Sequence, residues 1–331
     1  MAEFRIGVLG DGGWGTTLAI LLSKKGCKVS LWGAFEDYLK EISDKRINYK
    51  FLPGIKIPSG IEIEPDIKKS VIQKDIVVLA APSQHTRPVL KKIKTYVSKQ
   101  TIYVSVTKGI EIGSCKRISQ VILEELGKVK LAVLSGPTIA MEVARGIPTT
   151  AVAASADKNV RKTIQEVFST ERFRVYTNPD VIGVELGGSL KNVIAIACGV
   201  SDGLGFGTNT KAAILTRGLA EISRLGKVMG ANEQTFSGIS GLGDLVTTCI
   251  SEQSRNRSVG ELLGKGKSPA EILKDMQMVA EGVPTAKSAY ALSLKYKTEM
   301  PIITEIYRLL YKNKSAQLAV KDLMSRRSKE E

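Results

Sequence analysis

Histidine is the scarcest of the catalytically useful residues in this chain: His85 is the only one among 331 residues. Many enzymes move protons through a histidine base, and here only His85 is available for that role. It lies in APSQHTRP (81–88), which reads as a loop of the N-terminal half, where a lone surface histidine is the simpler reading. Proton transfer, if the chain performs any, then falls to another residue type. Cysteine is nearly as sparse. Cys27, Cys115, Cys198 and Cys249 contain no C-x-x-C pair, which excludes a zinc site of ordinary spacing and a disulfide framework. Each reads as a small buried hydrophobe. No apolar run approaches the ~20 residues that span a bilayer. The opening MAEFRIGVLG lacks the charged and apolar regions of a signal peptide and reads as an early strand. These absences predict a cytoplasmic chain with no stable membrane insertion.

Charge is what the chain has in excess, with 48 Lys and Arg against 33 Asp and Glu, a net +15. Such a balance attracts nucleic acid or an anionic surface in general. The cations are scattered, however, and aromatic residues make up only 5%. Lys91, Lys92 and Lys94 fall where a helix turns a face to water. No nucleic-acid partner is expected, and small anionic substrates fit the excess better.

The texture of the chain changes near residue 180. Before it, short β-branched runs alternate with helical stretches: Phe4–Leu9, Lys28–Trp32, Ile76–Ala80, Thr101–Val106 and Leu131–Leu134 read as strands. Thr16–Lys25 reads as a helix stopped by Gly26. This alternation predicts βαβ units and a parallel sheet covered on both faces. After it, alanine, leucine and lysine recur at helical spacing. One long helix is expected from Val181, a second over 210–230, and later ones over Ala280–Tyr296, Ile302–Tyr311 and Ala316–Met324. Two domains follow, 1–180 and 181–331, with a cleft between them. The tail SRRSKEE reads as disordered.

Gly10-Asp11-Gly12-Gly13-Trp14-Gly15 fits G-x-G-x-x-G and sits between a predicted strand and a predicted helix, the context in which that pattern binds a dinucleotide. Gly10 permits the tight turn, Gly12 the approach of the pyrophosphate, and Gly15 close packing of helix on strand. The fold class is therefore α/β, a Rossmann-like doubly wound sheet followed by an all-α C-terminal domain. NAD and NADP are not separated by the residues. The second strand ends Leu31-Trp32-Gly33-Ala34, without the acid that holds a ribose 2′-hydroxyl or an arginine for a 2′-phosphate. Glu36 and Asp37 come late and read equally well as helix-capping residues.

Several polar clusters stand where ligands bind. Thr107-Lys108-Gly109 and Ser135-Gly136-Pro137-Thr138 each follow a predicted strand at the C-terminal edge of the sheet. Lys191 lies within the apolar helix from Val181, one turn after Gly187 and Gly188. An ammonium there is desolvated, which lowers its pKa toward the range of a general base, and a second cation such as Lys108 acts in the same sense. A lysine snorkelling to the helix surface is the competing reading, with about equal weight. Gly241-Leu242-Gly243-Asp244-Leu245 sets a carboxylate in a glycine-flanked turn. Ser254-Arg255-Asn256-Arg257 opens a predicted helix to Leu263 and suits a phosphate, although an ordinary cap with exposed basic residues looks the same.

Taken in order, GDGGWGTTLA, LPG (52–54), AAPSQ (80–84), TKGIE (107–111), SGPTIAMEV (135–143), the long stretch 180–218, GLGDLVTTC (241–249), QSRNR (253–257) and VAEG (279–282) closely resemble the bacterial NAD(P)-dependent glycerol-3-phosphate dehydrogenases. The resemblance runs from Gly10 to about Tyr311. It implies interconversion of sn-glycerol 3-phosphate and dihydroxyacetone phosphate, supplying glycerol 3-phosphate for phospholipid synthesis. It implies Lys191 as acceptor of the C2 hydroxyl proton and Lys108 as a contact to both substrate and cofactor, with Lys108 and Asn192 steadying the developing charge. Gly136, Thr138, Asp244, Ser254, Arg255 and Asn256 would line the substrate site. Gly13, Trp14, Ala140, Arg255, Val279 and Glu281 would meet the dinucleotide beside Gly10, Gly12 and Gly15. Ala34 departs from members that carry His or Arg near the 2′-phosphate, which weakens an NADP preference. A homodimer through the helical part is plausible. Among alternatives, a 6-phosphogluconate or 3-hydroxy-acid dehydrogenase shares the fingerprint and a helix lysine but not SRNR and GLGDL together. A non-catalytic basic dinucleotide sensor would leave Lys191 unexplained.

Overall fold

The computed structural model describes residues 3–276 and 278–327. It resolves into two compact units, one drawn from 1–108 and 116–185, the other from 109–115 and 186–331. Of the tail read as disordered, residues 328–331 lie outside the described ones.

The first unit is an eight-stranded sheet: β1 Arg5–Leu9, β2 Lys28–Trp32, β3 Ile61–Ile63, β4 Ile76–Leu79, β5 Ile102–Ser105, β6 Lys130–Ser135, β7 Thr149–Ala154 and β8 Phe173–Asn178. Its order is β3-β2-β1-β4-β5-β6-β7-β8. The first six strands run in the 3-2-1-4-5-6 order of a dinucleotide-binding sheet. Every pairing is parallel except β6 with β7, which is antiparallel. The parallel part agrees with the expected βαβ alternation, whereas β3, β7, β8 and the reversal lie outside the expected strands. Helices α1 Gly13–Lys24, α2 Glu36–Lys45, α3 Ser83–Ile93, α4 Ile118–Leu126, α5 Ala140–Ala144 and α6 Lys158–Phe168 connect the strands. His85 stands exposed in the first turn of α3 rather than in a loop. SQHTR has no strong breaker, and Pro82 before it serves as the cap.

Alternation along the strands places the core on both faces of this sheet. Ile6, Val8, Ile76, Val78 and Val104 enter one buried cluster with α1 and α6. Leu9, Val77, Leu79 and Tyr103 enter another with α3 and α4. A sheet buried on both faces reads as continuous apolar runs, as β4 (IVVL) does.

The second chain half is helical: α7 Val181–Gly203, α8 Thr208–Val228, α9 Glu233–Phe236, α10 Asp244–Ile250, α11 Arg255–Gly264, α12 Pro269–Asp275, α13 Gly282–Lys295, α14 Pro301–Tyr311 and α15 Ala316–Met324. A short π-helical turn, Ile239–Gly243, leads into α10. Helix α7 corrects the expectation of no membrane-length apolar run: it is 23 residues long, and its most apolar 18-residue window has a mean hydropathy of 1.5. Of its most apolar window, 89% is buried inside the protein, so its apolarity is satisfied by packing. That packing is very close against α11. A Cβ on Gly199 would stand 1.9 Å from the Arg257 carbonyl oxygen, and one on Gly260 2.0 Å from that of Ile196. Gly203 and Gly264 repeat the relation one turn on, so the two backbones touch where side chains would normally hold them apart.

Candidate active site

In the first unit the glycine-rich turn links β1 to α1. Gly10 adopts φ 128°, and its added Cβ would meet the Ala80 carbonyl carbon at 2.7 Å; only glycine fits both constraints. Gly15 lies against the Gly10 carbonyl oxygen, 1.9 Å from a hypothetical Cβ. Gly12 is different, with nothing within 4 Å of the same position. It caps α1 without any side-chain hydrogen bond. The turn is thus packed beneath and open above, at a helix N-terminus whose N–H groups and dipole favour an anion. A pyrophosphate fits this opening. Ala140 is drawn to the same place, its Cβ 3.7 Å from a Cβ on Gly13 and its carbonyl accepting from Thr17 Oγ1 at 3.1 Å. The Trp14 indole packs half-buried into the core toward Phe173. Ala34 is exposed beyond the end of β2.

The two loops at the C-terminal edge of β5 and β6 meet. Lys108 Nζ donates to the Gly136 carbonyl at 2.7 Å and to Thr138 Oγ1 at 3.1 Å. Gly136 reaches this geometry with φ 140°. Three of the residues singled out from sequence therefore form one cluster.

In the second unit Lys191 is 5% exposed and Asp244 1%. Their side chains form an ion pair. Thr248 Oγ1 accepts a second hydrogen bond from Lys191 Nζ at 2.6 Å while donating its own proton to the Asp244 carbonyl at 2.7 Å. This overturns the snorkelling alternative for Lys191. The Asp244 carboxylate supplies the counter-charge that holds the ammonium in the interior. Gly187 makes the pairing possible, since a Cβ there would stand 2.7 Å from the Ser240 carbonyl oxygen, so the turn carrying Asp244 lies directly on α7.

Next to Lys191, Asn192 Oδ1 accepts from Asn256 Nδ2 at 2.9 Å, and Asn256 Oδ1 accepts from the Gly282 N–H at 2.8 Å. Ser254 caps α11 through the Arg257 N–H. Arg255, in the first turn, is exposed and donates through Nη1 to the Val279 carbonyl at 2.8 Å. Glu281 occupies the cap of α13. The α7–α11 contact is what brings 191–192 and 254–256 together. Thr248 as a lysine partner and the glycine pairs Gly199/Gly203 and Gly260/Gly264 are absent from the expected site; for the glycines, a spacing of four on two helices is the signal in the sequence.

A 3-2-1-4-5-6 sheet, a turn open to a pyrophosphate and a buried, paired lysine at the start of a helical half define a dinucleotide-dependent oxidoreductase. The comparisons narrow this class. The family model described as NAD-dependent glycerol-3-phosphate dehydrogenase N-terminus matches residues 5–161, and its C-terminus counterpart matches 180–321. A glycerol-3-phosphate dehydrogenase (NAD(P)+) of Prosthecochloris aestuarii is 50% identical over 329 residues, covering 98% of this chain and 99% of the relative. One of Citrifermentans bemidjiense is 50% identical over 334 residues, covering 100% and 99%. The crystal structure of glycerol-3-phosphate dehydrogenase from Coxiella burnetii superposes with a TM-score of 0.95 at 39% identity, covering 98% of this chain and 99% of that one. The chain belongs to the NAD-dependent glycerol-3-phosphate dehydrogenase family.

Proposed function

We propose that this protein interconverts sn-glycerol 3-phosphate and dihydroxyacetone phosphate with NAD(P), and that it supplies glycerol 3-phosphate for phospholipid synthesis. The observation that carries the mechanism is the buried Lys191 held by Asp244 and Thr248. The bound nicotinamide supplies the hydride acceptor or donor. Lys191 takes the C2 hydroxyl proton as the neutral amine in the oxidative direction, and as the ammonium returns it to the forming alkoxide in reduction. Asp244 and Thr248 hold its amine in position for that exchange, and Lys108 and Asn192 stabilise charge on the same oxygen.

Substrate phosphate falls to Ser254, Arg255 and Asn256, where a helix start and a guanidinium combine. Gly136 and Thr138 complete the substrate contacts. The dinucleotide is held by Gly10, Gly12, Gly13, Trp14, Gly15, Ala34, Lys108, Ala140, Arg255, Val279 and Glu281. In this reading the domains are 1–180, which carries the glycine-rich turn for the dinucleotide, and 181–331, which carries Lys191 and the phosphate contacts. The enzyme works in the cytoplasm, as a homodimer paired through its helical part, without nucleic-acid partners. The scattered placement of its cations supports the last point.

The direct test follows the near-ultraviolet absorbance of NADH and NADPH, in parallel, on addition of dihydroxyacetone phosphate. Loss of absorbance with either cofactor is expected. No loss with both would overturn the substrate assignment.

A further inference from the structure

Adenosine-ribose recognition in this fold is commonly the work of an acid at the end of the second strand, and β2 of this chain ends in Trp32, Gly33 and Ala34 without one. A carboxylate is nevertheless present at that place, contributed by another segment. Asp11, the second residue of the glycine-rich turn, is 8% exposed. A Cβ built on Gly33 would stand 2.4 Å from both Cγ and Oδ2 of Asp11, so the carboxyl group rests on the bare backbone of residue 33. The turn is fastened to the strand there by the Gly10 N–H, which donates to the Trp32 carbonyl at 2.8 Å. The Asp11 carbonyl is also fixed, accepting from Asn48 Nδ2 at 2.6 Å and Thr16 Oγ1 at 3.2 Å. Yet Asp11 Oδ2 finds no donor among the described residues, and a buried carboxylate oxygen without a donor is costly.

We propose that Asp11 receives the adenosine ribose 2′-hydroxyl and thereby sets a preference for NAD(H) over NADP(H). The inference rests on the dinucleotide-binding part of the proposed function. The unpartnered oxygen gains the donor it lacks from the hydroxyl. A 2′-phosphate would instead bring a second anion against a carboxylate that solvent barely screens. Lys50 is the cation acting on Asp11; it is exposed, with its ammonium 4.2 Å from the Tyr38 ring centroid, and solvent screens its pull. Gly33 has its own explanation here, since any side chain would displace the carboxyl group. Burial raises the Asp11 pKa above the ordinary aspartate value, while its own amide and Lys50 draw it back, the pattern of a carboxylate waiting for a donor.

The test is equilibrium binding of NADH and NADPH, read by cofactor fluorescence, to the full chain and to D11N and G33A. The parent protein is expected to bind NADH at least about tenfold more tightly than NADPH. In D11N the ratio of the two affinities should fall roughly tenfold or more, mainly through weaker NADH binding. G33A should shift the ratio in the same direction, because its methyl group displaces the carboxyl; it also serves if D11N does not fold. Equal changes for both cofactors, or an unchanged ratio in the variant that folds, would overturn the role of Asp11 alone. A parent protein that binds neither cofactor would overturn the dinucleotide reading itself. Because the readout is binding, a wrong carbonyl substrate leaves the test intact.

Discussion

Lys191 and Asp244 form an ion pair in the protein interior, 5% and 1% exposed, from a long apolar helix and a glycine-flanked turn 53 residues away. Two charges removed from water this completely hold each other in place, and removing either strands the other. D244N keeps the shape and an acceptor but leaves the ammonium without its counter-charge. The expected loss is about a hundredfold or more in kcat, with a stability loss of about 3 kcal/mol. Steady-state kinetics and denaturant unfolding measure the two. Turnover at the parent rate in D244N would remove Asp244 from the chemistry.

Thr248 acts on the same amine by a weaker route. Its hydroxyl proton is committed to the Asp244 carbonyl, which turns a lone pair toward Lys191 Nζ at 2.6 Å. T248V preserves volume and the ion pair while deleting that acceptor. A cost of about 1–2 kcal/mol, or roughly tenfold in kcat, is expected with little change in KM for dihydroxyacetone phosphate. T248S should recover most of it. If the valine and serine variants behave alike, the hydroxyl has no part in holding the lysine.

What was readable in the sequence follows from which interactions are local. The turn at Gly10–Gly15 and the helix cap at Ser254 are settled within a few residues, and both stand as their spacing indicated. The apolar neighbours of Lys191 on its helix are compatible with burial but equally with a lysine snorkelling to the surface, and only the packing of the helix decides between them. The partners of Lys191 could not be seen, since Asp244 and Thr248 reach it only through the contact that Gly187 permits with Ser240. Strand β7, TTAVAA, has three alanines and a single valine beside its two threonines and shows little periodicity. Strand β8 does alternate, buried at Phe173 and Val175 and exposed at Arg174 and Tyr176, a pattern legible in the sequence. Nothing in the glycine motif marks Asp11, because its significance depends on Gly33, which lies a strand away in space.

Glu221 makes a prediction about pH. It sits in α8, 2% exposed, and its carboxyl caps α14 by accepting from the N–H groups of Ile302 at 2.7 Å and Ile303 at 3.1 Å. Burial pushes its pKa up to about 7, against the opposing pull of those N–H groups and of Arg224 and Arg326. A folded-state pKa above the unfolded value means that this group's contribution is fully present below about pH 4.5 and is lost as pH rises through about 7. The full loss corresponds to about 3 kcal/mol. E221Q cannot titrate, so its unfolding free energy should decline less than the parent's between about pH 5 and pH 8. Parallel curves for the two proteins would show that Glu221 does not gain its proton in this range.

Gly12 and Gly15 lie three residues apart in one motif yet should respond to alanine in opposite ways. A methyl group on Gly15 has to share space with the Gly10 carbonyl oxygen, 1.9 Å away, and with Ala80 Cβ at 3.1 Å. Helix α1 would be levered off the sheet, and G15A is expected to lose about 1–3 kcal/mol of stability. A methyl group on Gly12 meets nothing within 4 Å, and its φ of −63° suits alanine, so G12A should melt with the parent protein. The space it fills is the one left for the pyrophosphate, and NADH affinity should fall roughly tenfold or more. Thermal melting and NADH fluorescence titration on both variants decide the matter. A G12A protein that keeps both its melting temperature and its NADH affinity would mean that the opening above the turn is not where the dinucleotide binds.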